Sequence, residues 1–117
     1  MVTYQMGAIE MRFAQIIWGC EPVSSAKLVA LAAEQLGWKK STTYTVLRRL
    51  CEKGIFQNNS GVVTSLVSQE EFVSVRSEQF VDEEFGGSLP AFLAAFTSRH
   101  RLTEEEIAQL RRLIESV

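Results

Sequence analysis

Between Gly37 and Gly54 the sequence reads GWKKSTTYTVLRRLCEKG, and no other stretch gathers so many side chains able to bind a ligand. Ser41, Thr42 and Thr45 carry short hydroxyls, Tyr44 a phenol, and Lys39, Lys40, Arg48, Arg49 and Lys53 cations. Placed on a helix from about Ser41 to Lys53, with Ser41 as its cap, these residues divide between two faces. At about 100° per residue, Thr43, Val46, Leu47, Leu50 and Cys51 share one side, at the spacing of a buried stripe. Ser41, Thr42, Thr45, Arg48 and Arg49 share the other, with Tyr44 at the border. A face that only meets water is usually built from Glu, Lys and Gln. Short hydroxyls backed by cations suit the DNA major groove instead, where Ser and Thr reach base edges and thymine methyls while Lys and Arg neutralise phosphates. The expectation is base reading by Ser41, Thr42, Tyr44 and Thr45, with phosphates held by Lys39, Lys40, Arg48, Arg49 and Lys53.

The flanking sequence supplies elements that could position such a helix. A first helix from about Gly7 to Gly19 has a broad apolar arc of Met11, Phe13, Ala14, Ile17 and Trp18, widened by Ile9 and Ile16. Glu10 falls inside that arc and needs a partner, because an unpaired buried carboxylate is costly; Arg49 is one candidate. Pro22-Val23 interrupts the pattern, and Val23 can add a short strand pairing. Ser24 or Ser25 caps a second helix to Leu36, with Leu28, Leu31, Ala32 and Leu36 inward, and Gly37 ends it. After Gly54 the period changes. Ile55-Phe56-Gln57, the turn Asn58-Asn59-Ser60-Gly61 and the run Val62 to Leu66 read as strand, turn and strand. Three helices followed by a hairpin is the winged helix-turn-helix plan. Asn58 and Asn59 in the wing can reach phosphates by hydrogen bonds, but no Lys or Arg lies between Lys53 and Arg76.

Residues 67–117 read as a three-helix arm. Ser68 and Glu71 form a capping box before an apolar side of Phe72, Val75, Phe80 and Val81. Gly86-Gly87-Ser88 breaks that helix, and a short one follows with Leu89, Phe92, Leu93 and Phe96. Thr103 and Glu106 cap the last, where Ile107, Leu110, Leu113 and Ile114 repeat at helical spacing. Helices this short and one-sided need a further surface, either the winged helix of the same chain or a second copy, and the second copy is preferred. The expected use of Phe72, Val75, Phe80, Leu89, Phe92, Leu93, Phe96, Ile107, Leu110, Leu113 and Ile114 is a two-fold interface with a second copy, matching two half-sites on a DNA palindrome. The resulting fold class is mainly α, with a winged helix-turn-helix over residues 1–66 and a helical dimerisation arm over 67–117.

The bulk numbers agree with that division. The 117 residues suit one small domain with an appendage, and 46% apolar content supports a core. The net charge of −2 conceals an asymmetry: residues 1–66 hold seven Lys/Arg against four Glu, whereas 67–117 hold five Arg against ten acids. A basic reader and an acidic arm fit that distribution. No run of about 18 apolar residues predicts a membrane span, and the start of the chain lacks a secretory pattern, so the cytoplasm is the expected location. Cys20 and Cys51 each sit in an apolar stripe and read as reduced core thiols. With His100 the single histidine and no Cys-x-x-Cys, no metal or cofactor is expected. No spaced acid–base pair and no phosphate loop points to an enzyme. Two rival functions are a winged-helix module that docks a protein partner without DNA, and a metal- or redox-responsive regulator using the two cysteines.

The order and spacing of several motifs resemble the penicillinase and methicillin-resistance repressors with their copper-responsive relatives (the BlaI/MecI/CopY group). The motifs are Glu10-Met11-x-Phe13 with Trp18, then Trp38, then Thr42-x-x-Thr45-Val46-Leu47-x-Arg49-Leu50-x-x-Lys53-Gly54. They continue in Val67-Ser68-x-Glu70-Glu71-Phe72, Phe85-Gly86-Gly87-Ser88 and Leu102-Thr103-x-Glu105-Glu106-Ile107-x-x-Leu110. The resemblance implies a homodimeric winged-helix repressor on inverted repeats with TACA/TGTA cores. It also implies release when a membrane sensor-protease signals and the arm is cut, at the place held here by Ala95-Phe96, or, in the copper branch, when metal binds. The chain departs from the group in lacking the copper branch's C-terminal cysteines and the asparagine usual at the cut. It also has Ser41 and Tyr44 where a basic residue and a glutamine are common, and its wing lacks the usual arginine and tyrosines.

Overall fold

The structure, a computed structural model, describes residues 3–117. Its elements are α1 (Ala8–Cys20), β1 (Val23–Ser24), α2 (Ser25–Leu36), α3 (Lys40–Glu52), β2 (Phe56–Asn59), β3 (Val62–Ser65), α4 (Gln69–Phe85), α5 (Leu89–Thr97) and α6 (Glu104–Glu115). The three strands make one antiparallel sheet in the order β1-β3-β2. A mainly helical chain with this small sheet is consistent with the winged-helix plan. The chain divides into two compact units, one ending at Ser77 and one running from Glu78 to Val117.

Local chemistry sets the boundaries within the first unit. Ser24 Oγ accepts from the Lys27 N–H at 3.0 Å and starts α2, while Gly37, at φ 69°, closes it in a left-handed turn that a side chain would strain. Val23 pairs with Val63 and Ser24 with Val62, which ties the start of α2 to the hairpin. α3 begins one residue before the predicted Ser41 cap. Lys39 is the extended N-cap with no side-chain cap bond, and Ser41 lies in the first turn. The hairpin turn is tighter than the four residues expected. Asn58 and Asn59 belong to β2, and Ser60 and Gly61, both at positive φ, make the turn alone. Two left-handed residues match the twist of the paired strands, and Asn58 Oδ1 accepts from the Gly61 N–H at 2.9 Å.

The core of this unit joins Phe13, Ala14 and Ile17 of α1, Leu28 and Ala32 of α2, and Val46, Leu47 and Leu50 of α3 to the sheet residues Phe56 and Val63. Trp18 closes one end: its ring packs on Phe56 and Phe72, and its Nε1–H donates to the Val67 carbonyl at 3.0 Å. Trp38 packs on Phe13, ring centroids 5.2 Å apart. Glu21 accepts from both the N–H and the Oγ of Ser65 at 2.7 Å, joining the end of α1 to β3.

Three expectations about packing change here. Phe72, expected at an interface between copies, is 0% exposed in this core, stacked on Tyr4 and held against Trp18. Ile9, expected in the α1 arc, is 60% exposed, because that arc is filled by Phe13, Ala14 and Ile17. Cys20 is an exposed free thiol rather than a core residue. It repeats the angular position of Phe13, but it is the last residue of α1, and its Sγ reaches only the Ile16 carbonyl of its own helix. Cys51 is half-buried and free.

The second unit is built differently. Ser88 Oγ accepts from the Ala91 N–H and starts α5, and Thr103 with Glu106 completes the expected capping box of α6. Phe92 meets Phe80, Phe85 and Phe96 at ring separations of 5.6–6.0 Å. Yet neither α5 nor α6 contains a buried residue.

Candidate nucleic-acid interface

The sequence of α3 puts Thr43, Val46, Leu47 and Leu50 into the core, and this fixes the direction of everything else on the helix. Ser41, Thr42, Thr45, Arg48 and Arg49 are exposed, as are Lys39 and Lys40 at its start. Tyr44 is half-buried at the border, packed against the core. The Thr43 hydroxyl donates to the Lys39 carbonyl at 3.2 Å, so this polar core residue is satisfied inside its own helix. The Thr45 hydroxyl donates to the Ser41 carbonyl at 2.9 Å. That bond fixes its rotamer, and its oxygen still has lone pairs to offer. Among the described residues Lys39, Lys40, Arg48 and Arg49 form no ion pair.

The fifth cation behaves otherwise. Lys53 Nζ lies 3.0 Å from Glu10 Oε2 and 3.1 Å from Oε1, and it donates to the Gln5 carbonyl at 2.7 Å. Glu10 therefore has Lys53 as its partner, not the expected Arg49. The angular positions of Arg49 and Lys53 are about 40° apart on one flank of the helix, so periodicity alone could not choose between them. Burial works against the charged carboxylate. The Lys53 hydrogen bond, the Gly7 N–H and the charges of Lys53 and Arg49 outweigh it and hold the Glu10 carboxyl below its usual range. Arg49 thus acts on Glu10 only through space, and its guanidinium is left on the surface.

The opposite flank of α3 faces the hairpin. Tyr44, Leu47, Arg48 and Cys51, at successive helical turns, line a cavity of about 270 Å³ with Asn58 of β2. The sequence places Asn58 only as an isolated phosphate contact; its closeness to Arg48 depends on how β2 packs beside α3. Asn59 is exposed on the same strand. Burial pushes the Cys51 thiol up, with the Glu52 charge adding to it.

Within the second unit, Phe92, Leu93, Phe96, Leu102, Leu110 and Leu113 line an apolar groove of about 380 Å³, with Glu106 and Gln109 on its edge. Phe80, Leu89, Phe96, Ile107, Leu113 and Ile114 are exposed, and Val75 of the first unit is half-buried. Ala95 and Phe96 are exposed but lie inside helical α5.

A sequence profile of the penicillinase repressor family matches residues 6–116. The chain is 23% identical over 115 residues to a penicillinase repressor of Bacillus licheniformis, covering 95% of this chain and 90% of that one. It is 25% identical over 116 residues to the methicillin resistance regulatory protein MecI of Staphylococcus aureus, covering 96% and 94%. A penicillinase repressor of Staphylococcus aureus is 21% identical over 117 residues, covering 97% and 93%. The match runs through both compact units, and the chain belongs to the penicillinase repressor family.

Proposed function

We propose that the chain is a transcriptional repressor that binds DNA as a homodimer on an inverted-repeat operator. The observation that carries this reading is the outer face of α3: three exposed hydroxyls and four cations that form no ion pair among the described residues, on a helix anchored by four buried residues. A face that served only solubility would not need hydroxyls at Ser41, Thr42 and Thr45. In the major groove they would meet base edges, while Lys39, Lys40, Arg48 and Arg49 would hold phosphates. α2 and α3, separated by Gly37 and Trp38, would form the helix-turn-helix, and the hairpin the wing. The reader would lie within residues 1–66 and the pairing arm within 67–117.

A hairpin without Lys or Arg adds no counterion release, so one protomer should bind weakly. Pairing answers that weakness, and the apolar surface of α5 and α6 gives it a physical basis. Helices of nine and twelve residues are marginal alone in water, and large exposed apolar surface marks an interaction site. Repression would follow from occupying the operator in the cytoplasm; among the described residues no helix is long and apolar enough to cross a membrane. The Ala95-Phe96 bond lies in the last turn of α5. A sensor-activated protease would need that turn unwound, because proteases bind extended chain.

The experiment is anisotropy titration of a duplex from the chain's own upstream region, at several salt concentrations, beside a scrambled duplex. A steep fall of affinity with salt, together with preference for the upstream palindrome, supports the reading. Binding that is indifferent to both would leave a protein-docking module as the better account.

A further inference from the structure

The geometry points to a seat for one DNA backbone phosphate and its sugar in the cavity between α3 and β2, shared by Arg48 and Asn58. This rests on the DNA-binding reading above and goes beyond it: helix and wing would grip the same phosphate, and Tyr44 would be a wall of that seat rather than a reader of bases. Three observations support it. Arg48 and Asn58 come from different elements, yet they line one cavity of about 270 Å³, and Arg48 makes no ion pair among the described residues. The Asn58 side-chain oxygen accepts from the Gly61 N–H, which holds the amide in place and leaves its NH₂ to donate to an anion. Two of the lining residues are apolar in character: Leu47 is buried, and Cys51 is half-buried with burial pushing its thiol up. Donors and apolar side chains lining one cavity match a phosphodiester with its deoxyribose, whose oxygens accept and whose carbons pack. The same arrangement explains how a wing without cations could contribute, by orienting a phosphate that Arg48 neutralises.

The test replaces the phosphates of the bound duplex one at a time by neutral methylphosphonates and measures affinity for the full-length protein, for Arg48→Gln and for Asn58→Asp. Asn58→Asp keeps the acceptor for the Gly61 N–H, so the turn stays capped, and melting curves check both folds. For the unaltered protein, one replacement per half-site should cost on the order of tenfold in affinity through this seat, as expected for lost charge-assisted hydrogen bonds. In both variants the penalty at that same phosphate should shrink severalfold, because each removes one of its two partners. If the two variants lose sensitivity at different phosphates, or if either keeps it unchanged, the shared seat is wrong while the repressor reading stands. If the unaltered protein binds duplex DNA without salt dependence and without response to any replacement, both fail.

Discussion

Lys53, at the end of α3, holds Glu10 of α1 with Nζ 3.0 Å from Oε2, and this ion pair ties α3 to the first helix of the core. It occupies a cation that the charge pattern would otherwise assign to DNA, and it leaves Arg49, one turn earlier, without an ion pair among the described residues. The two basic residues on this flank should therefore respond differently to mutation. Lys53→Ala should lower stability by about 1 kcal/mol or less, the worth of a partly exposed pair, with a small effect on the salt dependence of DNA binding. Arg49→Ala should leave the melting temperature unchanged, weaken binding to every sequence and flatten the salt slope by roughly one unit. Thermal melts beside salt titrations distinguish these outcomes; a destabilised Arg49→Ala would mean that the guanidinium is structural.

The same pair predicts a pH dependence. The Glu10 carboxyl titrates below its usual value in the folded chain, so it contributes stability at pH above the unfolded glutamate value. That contribution is lost as the pH falls through the lowered folded value. Denaturant unfolding of Glu10→Gln should show lower stability than the unaltered chain near neutrality and a shallower decline on acidification. Parallel curves for the two proteins would remove Glu10 from the account.

Thr45 stands at the centre of the exposed face, with its hydroxyl anchored to the Ser41 carbonyl. Replacing it with Ala should cost ~1–3 kcal/mol at one base pair of the operator and nothing on unrelated DNA. Competition against a set of single-base operator variants measures this. A uniform loss across all of them would assign Thr45 to the backbone.

In the arm, Leu113 is 62% exposed and also lines the apolar groove. Leu113→Asp should convert a dimer to a monomer and weaken operator binding by orders of magnitude, because a second half-site no longer adds to the first. The melting of the first unit should remain. Sedimentation gives the oligomeric state and anisotropy the affinity; an unchanged dimer would place the pairing surface elsewhere.

The parts of the fold that depend on local pattern could be read in the sequence. The apolar stripe of α3, the Ser24 cap, the Gly37 stop and the Thr103–Glu106 box all depend on residues within a few positions of one another, or on a period. What the sequence left open depends on which elements meet. Lys53 and Arg49 share a flank, so choosing Glu10's partner required the approach of α1. Phe72 reads as one more apolar residue of α4, and only the positions of Tyr4 and Trp18 bury it in the first unit. Cys20 keeps the helical period of the core but lies where α1 stops. The cavity joining Arg48 to Asn58 arises from packing between residues ten positions apart on different elements, for which no spacing rule exists.

The central claim is that α3 is presented twice, by two protomers, to an inverted repeat. It is tested most directly by titrating the protein against the intact repeat and against a duplex of equal length with one half-site scrambled, with stoichiometry read by sedimentation. Two protomers are expected on the intact repeat, with an affinity for the single half-site lower by about a hundredfold or more. Equal affinity for the two duplexes, or one protomer on the intact repeat, would contradict it.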